Sequence, residues 1–202
     1  MRPDILTAVS FLCTRVQSAT TEDAAKLARV LGYIKSTVDQ VLYIRTAVKP
    51  VVCAYIDAAY ALHSDSKSHT GVIIFVGHAI AYVSSKKQKC MSKSLTEAEL
   101  IGLTDNLGLV ELFKEFLDFI TGEQTATPVV YQDCKSVISL VTIGGGVTRT
   151  KHLRARMHLG KEMVEEGRVV VQYVKAEDMK ADGFSKPLDP SGHRRFVELM
   201  EN

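Results

Sequence analysis

The sequence predicts an α/β fold in which a five-stranded mixed sheet is flanked by helices and preceded by an N-terminal helical extension. The first 47 of the 202 residues carry apolar side chains at helical spacing. Five short runs of β-forming residues follow from about residue 50, and helical patterns separate only the later runs. The resulting order, β-β-β-α-β-α-α-β-α, contains more strands than a strict βαβ repeat, so the sheet should be mixed with helices on its faces.

The N-terminal extension is predicted to contain two amphipathic helices. The first begins after Pro3 and Asp4 and repeats apolar residues at helical spacing up to Val16. Thr21 with two acidic residues after it is typical of a cap and an acidic first turn, and the helix that follows has one apolar face. We divide the chain into this extension (1–47), a central domain (48–190) and a C-terminal helical tail (191–202).

Three closely spaced β-forming runs predict an antiparallel meander. They occupy residues 51–56, 71–76 and 79–84, with a polar turn predicted over 63–70.

The second half of the chain adds helices and two strands. The helices are predicted over 95–120, with an interruption near 106–108, and over 134–142 and 150–166. The strands are predicted over 128–132 and 168–174, and short helical pieces follow from residue 179.

Composition excludes several classes of protein. With 46% hydrophobic and 24% charged residues the chain can bury a core, and a net charge of +2 gives it no general polybasic character. Its four cysteines form no CxxC pair, which argues against a zinc cluster or disulfide framework and favours a reducing, intracellular compartment. The most apolar stretch, 71–83, is too short to cross a bilayer and no signal peptide is visible, so we expect no membrane partner.

Two aspartates directly follow predicted strands. Asp57 comes after 51–56 and Asp133 after 128–132, and a carboxylate at the end of a buried strand is costly unless it is neutralised. Taken alone, Asp133 is equally well explained as the N-cap of the helix after it. If the two strands are neighbours, however, both carboxylates lie within a few ångströms, where their repulsion demands a cation.

Two glutamates at the start of the helix over 95–120 compete for a place beside these aspartates. Both fit a capping box, Glu97 with Ser94 and Glu99 with Thr96. In projection Glu99 lies roughly 60° and Glu97 roughly 100° from the centre of the apolar face. Glu99 should therefore face the sheet, and Glu97 should be the cap.

Two basic segments and one further acid complete the set of candidates. Residues 84–93 contain four lysines, three serines and no acid, and residues 149–156 form a second basic cluster. Such runs are usually solvated faces, but hydroxyls among cations are what phosphate contacts use. Asp182, on local grounds, is only a surface acid beside a glycine.

With these residues in view, the chain resembles the ribonuclease H domain of copia-type LTR retrotransposon Pol polyproteins. Residues 55–58 (Tyr-Ile-Asp-Ala) resemble the first catalytic strand of that family, and 94–100 are similar to its Ser-Ser-Thr-Glu-Ala-Glu motif. The element at 131–136 matches except that Cys134 takes the place of an asparagine. Further matches lie at 69–71, 84–88, 149–152 and 181–188, and residues 2–5 with the helices after them resemble the connector that follows reverse transcriptase.

The resemblance implies a ribonuclease H-like fold for 48–190 and a catalytic, metal-binding set of four carboxylates. That set is Asp57, Glu99, Asp133 and Asp182. The implied reaction is hydrolysis of the RNA strand of RNA–DNA hybrids during reverse transcription, with two Mg²⁺ ions about 4 Å apart, or Mn²⁺ as a substitute. An all-carboxylate site suits Mg²⁺ rather than zinc.

The resemblance also implies partners and substrate contacts. The partners are the RNA–DNA hybrid and the reverse transcriptase domain of the same polyprotein, located in cytoplasmic virus-like particles or in the nucleus. Contacts to the nucleic acid are expected from residues of the two basic segments, namely Ser84, Ser85, Lys86, Lys87, Gln88, Lys89, Arg149, Thr150, Lys151 and His152.

Departures from the family pattern leave two alternative functions open. Residues 174–179 lack the histidine that many ribonucleases H carry before the last aspartate, and Leu95 and Cys134 replace small motif residues. One alternative is a catalytically inactive hybrid-binding or connector module from a decayed or domesticated element, although all four acids are intact. The other is a DNA transposase or integrase of the same fold, which generally has three acids and lacks the match at 181–188.

Overall fold

Five strands form one mixed sheet. A computed structural model of the chain describes residues 2–45, 47–144 and 151–201. Its strands are β1 (Val52–Ala59), β2 (His69–Val76), β3 (Ala79–Lys87), β4 (Val129–Gln132) and β5 (Val170–Tyr173). Their order is β3-β2-β1-β4-β5; β1 to β3 form an antiparallel meander, and β4 and β5 run parallel to β1. The predicted five-stranded mixed sheet is confirmed.

Seven α-helices surround this sheet in the described part of the chain. They are α1 (Leu6–Cys13), α2 (Thr21–Ser36), α3 (Leu95–Thr121), α4 (Lys135–Thr142), α5 (Lys151–Glu165), α6 (Asp182–Ser185) and α7 (Pro190–Glu201). The interruption predicted near 106–108 was wrong, because α3 runs through it as one helix of 27 residues. The cap of α2 is Thr20 rather than Thr21: its hydroxyl accepts from the backbone N–H of Asp23.

The turn predicted over 63–70 was partly wrong because its last two residues belong to β2. His69 and Thr70 are buried, and their polar atoms find partners inside the protein. His69 Nε2 lies 2.7 Å from Ser85 Oγ, and Gln88 Nε2 donates to Thr70 Oγ1 at 3.0 Å. The strand before this turn also differs from the prediction. It continues to Ala59, so Asp57 lies within β1 and not directly after it.

The larger core lies between α3, α5 and one face of the sheet. Alternate residues of β1, Val52, Ala54 and Ile56, point into it, as the period of a strand requires. The predicted apolar face of α3 packs against them and is confirmed, with each of its members almost fully buried: Leu100, Leu103, Leu107 and Val110.

A smaller core covers the opposite face of the sheet. It joins β2 to α6 and α7 through Ile73, Phe75, Phe184, Phe196 and Met200. The tail helix α7 thus contributes to a core of the central domain.

The N-terminal helix α1 lies against the central domain. Thr7 Oγ1 donates to the carbonyl of Gly183 at 2.5 Å, and Ser10 Oγ donates to the carbonyl of Ser85 at 2.8 Å. By contrast, Leu27 and Leu31 on the apolar face of α2 are about half exposed. The proposed divisions at 47/48 and 190/191 stay predictions. None of the helices in the described ranges is long and apolar enough to span a bilayer.

Candidate active site

Three carboxylates meet beside the central strands β1 and β4. Asp57 comes from β1, Glu99 from the first turns of α3 and Asp133 from the end of β4, and one oxygen of each lies within 4.8 Å of the others. The strand register explains the meeting of the aspartates, because they stand two residues beyond Tyr55 and Tyr131, which are partners in the parallel pair β1–β4.

Glu99 faces this site, and Glu97 caps the helix. Ser94 Oγ accepts from the backbone N–H of Glu97 at 3.2 Å, and Glu97 Oε2 accepts from the N–H of Lys93 at 2.7 Å. Glu99 is only 3% exposed, and burial together with the charges of Asp57 and Asp133 raises its pKa. The choice of Glu99 over Glu97 from the helical projection is confirmed.

Asp133 is not the N-cap of α4, because the helix begins at Lys135 and Cys134 occupies the cap position. The side-chain oxygen of Gln132 accepts from the N–H groups of Asp133 at 3.0 Å and Cys134 at 3.4 Å, while its nitrogen donates to Glu99 Oε2 at 3.4 Å. Among the described residues no side chain caps α4. Sequence reasoning missed Gln132; the signal was a polar residue at an inward position of a strand.

Asp57 is held by a residue far away in sequence. Ser185 Oγ donates to Asp57 Oδ2, and both residues are buried. Burial and the charge of Asp182 raise the pKa of Asp57, whereas the Ser185 hydroxyl and the Lys186 ammonium lower it. Sequence reasoning missed Ser185 as well, although it belongs to the 181–188 match.

Asp182 lies beside the three carboxylates but outside the group whose oxygens are mutually within 4.8 Å. It is the first residue of α6, its side chain is 28% exposed, and Lys186 Nζ donates to its Oδ1 at 2.8 Å. Its charge raises the pKa of both Asp57 and Asp133. The fourth predicted carboxylate is therefore at the site, paired with a lysine that the sequence did not reveal.

The chemistry of this donor set fits a divalent metal ion. The donors are carboxylate oxygens, the ligands that Mg²⁺ and Mn²⁺ prefer. Burial raises the pKa of Asp57, Glu99 and Asp133, and charge repulsion from neighbouring carboxylates adds to each shift. Such a cluster is unfavourable as three anions alone, and a cation among them removes the cost.

The predicted substrate-contact residues fall into three groups. Lys86 and Lys89 are exposed, and Lys87 pairs with Asp65 at 2.8 Å. For these lysines, and for the exposed Lys151, the contact stays a prediction. Arg149 and Thr150 lie outside the described residues, as does the side chain of His152.

Three members of the first basic segment have little surface to offer a substrate. Ser84, Ser85 and Gln88 are 6%, 6% and 7% exposed. Gln88 Nε2 donates to the carbonyl of Ala98 at 2.9 Å, so it links the end of β3 to α3. The side chains of these three residues pack inside the protein, and their contact with nucleic acid stays a prediction.

The sheet order and the flanking helices define a ribonuclease H-like fold, and the carboxylates lie beside its central strands β1 and β4. The chain is similar to RNase H1 from the archaeon Halobacterium salinarum, with a TM-score of 0.50 and 16% identity over 66% of this chain and 93% of that one. It is also similar to LC11-RNase H1, solved in complex with an RNA/DNA hybrid, with a TM-score of 0.50 and 14% identity over 66% of this chain and 92% of that one. The ribonuclease H fold is confirmed.

The homologues of the chain are retrovirus-related Pol polyproteins from transposons. It is 30% identical over 200 residues to the polyprotein of transposon RE1 from Arabidopsis thaliana, and 33% identical over 201 residues to that of TNT 1-94 from Nicotiana tabacum, in each case across 98% of the chain. The chain spans 14% and 15% of those polyproteins. No family model matches it. The chain is thus homologous to a segment of retrovirus-related Pol polyproteins, and the chain itself contains a ribonuclease H fold.

Proposed function

We propose that the protein is a metal-dependent endonuclease that hydrolyses the RNA strand of RNA–DNA hybrids during retrotransposon reverse transcription. The observation that carries the proposal is the cluster of Asp57, Glu99 and Asp133 beside the central strands of a ribonuclease H sheet. One carboxylate oxygen of each residue lies within 4.8 Å of the others. The RNA/DNA hybrid in the complex of the structurally similar LC11-RNase H1 supports this choice of substrate.

The carboxylates supply the ligands of the site. Asp57, Glu99 and Asp133 would hold Mg²⁺ directly, and Asp182 would complete the set. When bound there, Mg²⁺ supplies activation of a water molecule and charge stabilisation of the leaving oxygen. Gln132 and Ser185 keep the ligands in position through their hydrogen bonds to Glu99 and Asp57.

Exposed lysines beside β3 would contact the nucleic acid backbone. Lys86 and Lys89 are exposed, whereas the neighbouring Ser85 and Gln88 are buried. Phosphate contacts of this kind position a duplex without reading its sequence. We further propose that the reverse transcriptase domain of the same polyprotein is a partner, in cytoplasmic virus-like particles or in the nucleus; the small share of RE1 that this chain spans supports a neighbouring domain.

A cleavage assay on a labelled RNA–DNA hybrid tests the proposal. We expect cleavage of the RNA strand that requires Mg²⁺ or Mn²⁺, with no cleavage of matched RNA or DNA duplexes. Asp57→Asn should abolish cleavage and leave hybrid binding in place, because it removes a ligand charge and preserves the size of the side chain. Cleavage by this variant at the wild-type rate would contradict the assignment.

The same assay separates the alternative functions. A catalytically inactive hybrid-binding module would bind the hybrid and show no metal-dependent cleavage. A transposase or integrase would instead join DNA ends in a strand-transfer assay.

A further inference from the structure

Lys186 is placed to neutralise the fourth carboxylate. The chain leaves α6 at Lys186, whose backbone N–H still donates to the carbonyl of Asp182 at 3.2 Å. The side chain then folds back, so that its ammonium reaches Asp182 Oδ1 at 2.8 Å. Backbone and side chain of the same lysine therefore both hold the same aspartate.

The ion pair of Lys186 and Asp182 lies beside the carboxylate cluster. Ser185, the residue just before Lys186, donates a hydrogen bond to Asp57 Oδ2, and the side chains of Lys186 and Asp182 are 43% and 28% exposed. The ammonium thus lies beside the cluster in contact with Asp182, and the carboxylate of Asp182 stands outside the group with mutual distances within 4.8 Å.

We propose that Lys186 is an internal counter-ion that keeps Asp182 apart from Asp57, Glu99 and Asp133 until a divalent ion displaces it. This inference rests on the proposed function, because it takes the carboxylate cluster as the metal site. An ion that uses Asp182 as a ligand must compete with the ammonium for the same carboxylate. The lysine therefore weakens binding of the ion that needs Asp182, relative to an ion held by the other three carboxylates.

Direct titration with Mn²⁺, followed by electron paramagnetic resonance of the free ion, measures this competition without a substrate. We expect Lys186→Met to bind its weaker Mn²⁺ ion about tenfold more tightly than the wild type, the effect of removing one half-buried charge interaction. The matched control is Lys26→Met in α2. Lys26 pairs with Glu22, four residues before it, at 3.3 Å, just as Lys186 pairs with Asp182, so the control removes the same charge from a comparable ion pair away from the site. The control should bind Mn²⁺ as the wild type does.

A double-mutant cycle shows whether the lysine acts through Asp182. In the Asp182→Asn background, Lys186→Met should no longer tighten Mn²⁺ binding, since the carboxylate under competition is gone. A tenfold effect that persists in this background would overturn the proposal, because the lysine would then only repel cations at a distance. Lys186→Arg, which keeps the charge, should bind Mn²⁺ as weakly as the wild type, and tighter binding by this variant would also overturn it.

The outcomes for the proposed function are distinct from these. If the wild type binds Mn²⁺ no better than an Asp57→Asn, Asp133→Asn double variant, the metal site itself is wrong. If the wild type binds and Lys186→Met binds equally, only the role of Lys186 fails. Circular dichroism checks the fold, and Lys186→Gln replaces the methionine variant if that variant does not fold.

Discussion

A methyl group on Gly71 would lie 2.5 Å from the backbone nitrogen of Ser185. Gly71 is also the partner of Asp57 across the β1–β2 pair, so the backbone of α6 rests directly on the strand beside the first aspartate. On the other side of α6, a methyl group on Gly183 would meet the ring of Phe196 at 2.5 Å. The short helix α6, which carries Asp182 and Ser185, can therefore pack this closely against the sheet and α7 only because Gly71 and Gly183 have no side chain.

Gly71→Ala should damage both the fold and the site. The added methyl group meets backbone atoms, which cannot rotate away, so α6 must shift from the sheet. We expect a loss of about 1–3 kcal/mol in the free energy of unfolding, as for other overpacked sites, and a larger loss of hybrid cleavage. Urea unfolding and the cleavage assay measure the two effects.

Gly108→Ala is the control for this substitution. Gly108 lies in α3, and nothing stands within 4 Å of the position of the new methyl group. Alanine is the better helix former, so this variant should gain about 0.5–1 kcal/mol and keep full activity. Equal behaviour of the two alanine variants would show that the close approach at Gly71 is unimportant.

The hydroxyl of Ser185 should be needed for metal binding. It donates to Asp57 Oδ2 and so orients this ligand. Loss of a residue that positions a metal ligand typically costs about 10–100-fold in affinity or activity, and we expect roughly that range for Ser185→Ala in Mn²⁺ titration and in cleavage. Ser185→Thr keeps the hydroxyl and should retain most of both. Unchanged Mn²⁺ affinity in the alanine variant would rule out the positioning role.

Local pattern was sufficient for the parts of this site that depend on helix and strand periodicity. Helical projection alone separates Glu99 from Glu97, and burial of a strand explains why Asp57 needs a neutralising partner. Asp182 carries no such local signal, since it looks like a surface acid, and only the family resemblance marks it. Its position depends on the packing of α6 between β2 and α7.

The residues that support the ligands were not predictable, for a physical reason. Ser185 acts on Asp57 across 128 residues of sequence, so no window of local pattern contains both. The polar character of His69 predicts a turn, whereas Ser85 and His63 satisfy its ring nitrogens inside the protein. Polar residues with distant partners are the ones that local hydropathy misplaces.

Replacing the carboxyl of Glu99 with an amide should remove one pH dependence from the stability of the metal-free protein. Burial and neighbouring carboxylates raise the pKa of Glu99 above its ordinary value of 4.5. A raised carboxyl pKa means that stability is complete below the ordinary value and is lost as the pH rises towards the raised one. In EDTA, the Glu99 carboxyl should therefore lower the free energy of unfolding between about pH 5 and pH 8, a contribution opposite in sign to the one that His69 makes below about pH 6.5.

Glu99→Gln separates this effect from other titrations. In urea unfolding, the free energy of unfolding of the variant relative to that of the wild type should rise over that range, and Mg²⁺ should stabilise the variant less than it stabilises the wild type, because a ligand is missing. The same change in stability between about pH 5 and pH 8 in EDTA for the wild type and for Glu99→Gln would contradict the raised pKa of Glu99.

His69 should make the protein sensitive to acid. Burial and the nearby His63, whose Nε2 lies 3.0 Å from His69 Nδ1, lower the pKa of His69 from 6.5 to about 4. The unfolded chain takes up this proton more readily, so stability is present above about pH 6.5 and is lost as the pH falls towards 4, by up to about 3 kcal/mol.

Urea unfolding at about pH 7 and pH 5 measures the loss. His69→Asn, which cannot take up the proton, should lose less between these two values than the exposed control His78→Asn, even if it is less stable at neutral pH. The same loss in both variants would assign the acid sensitivity to other groups.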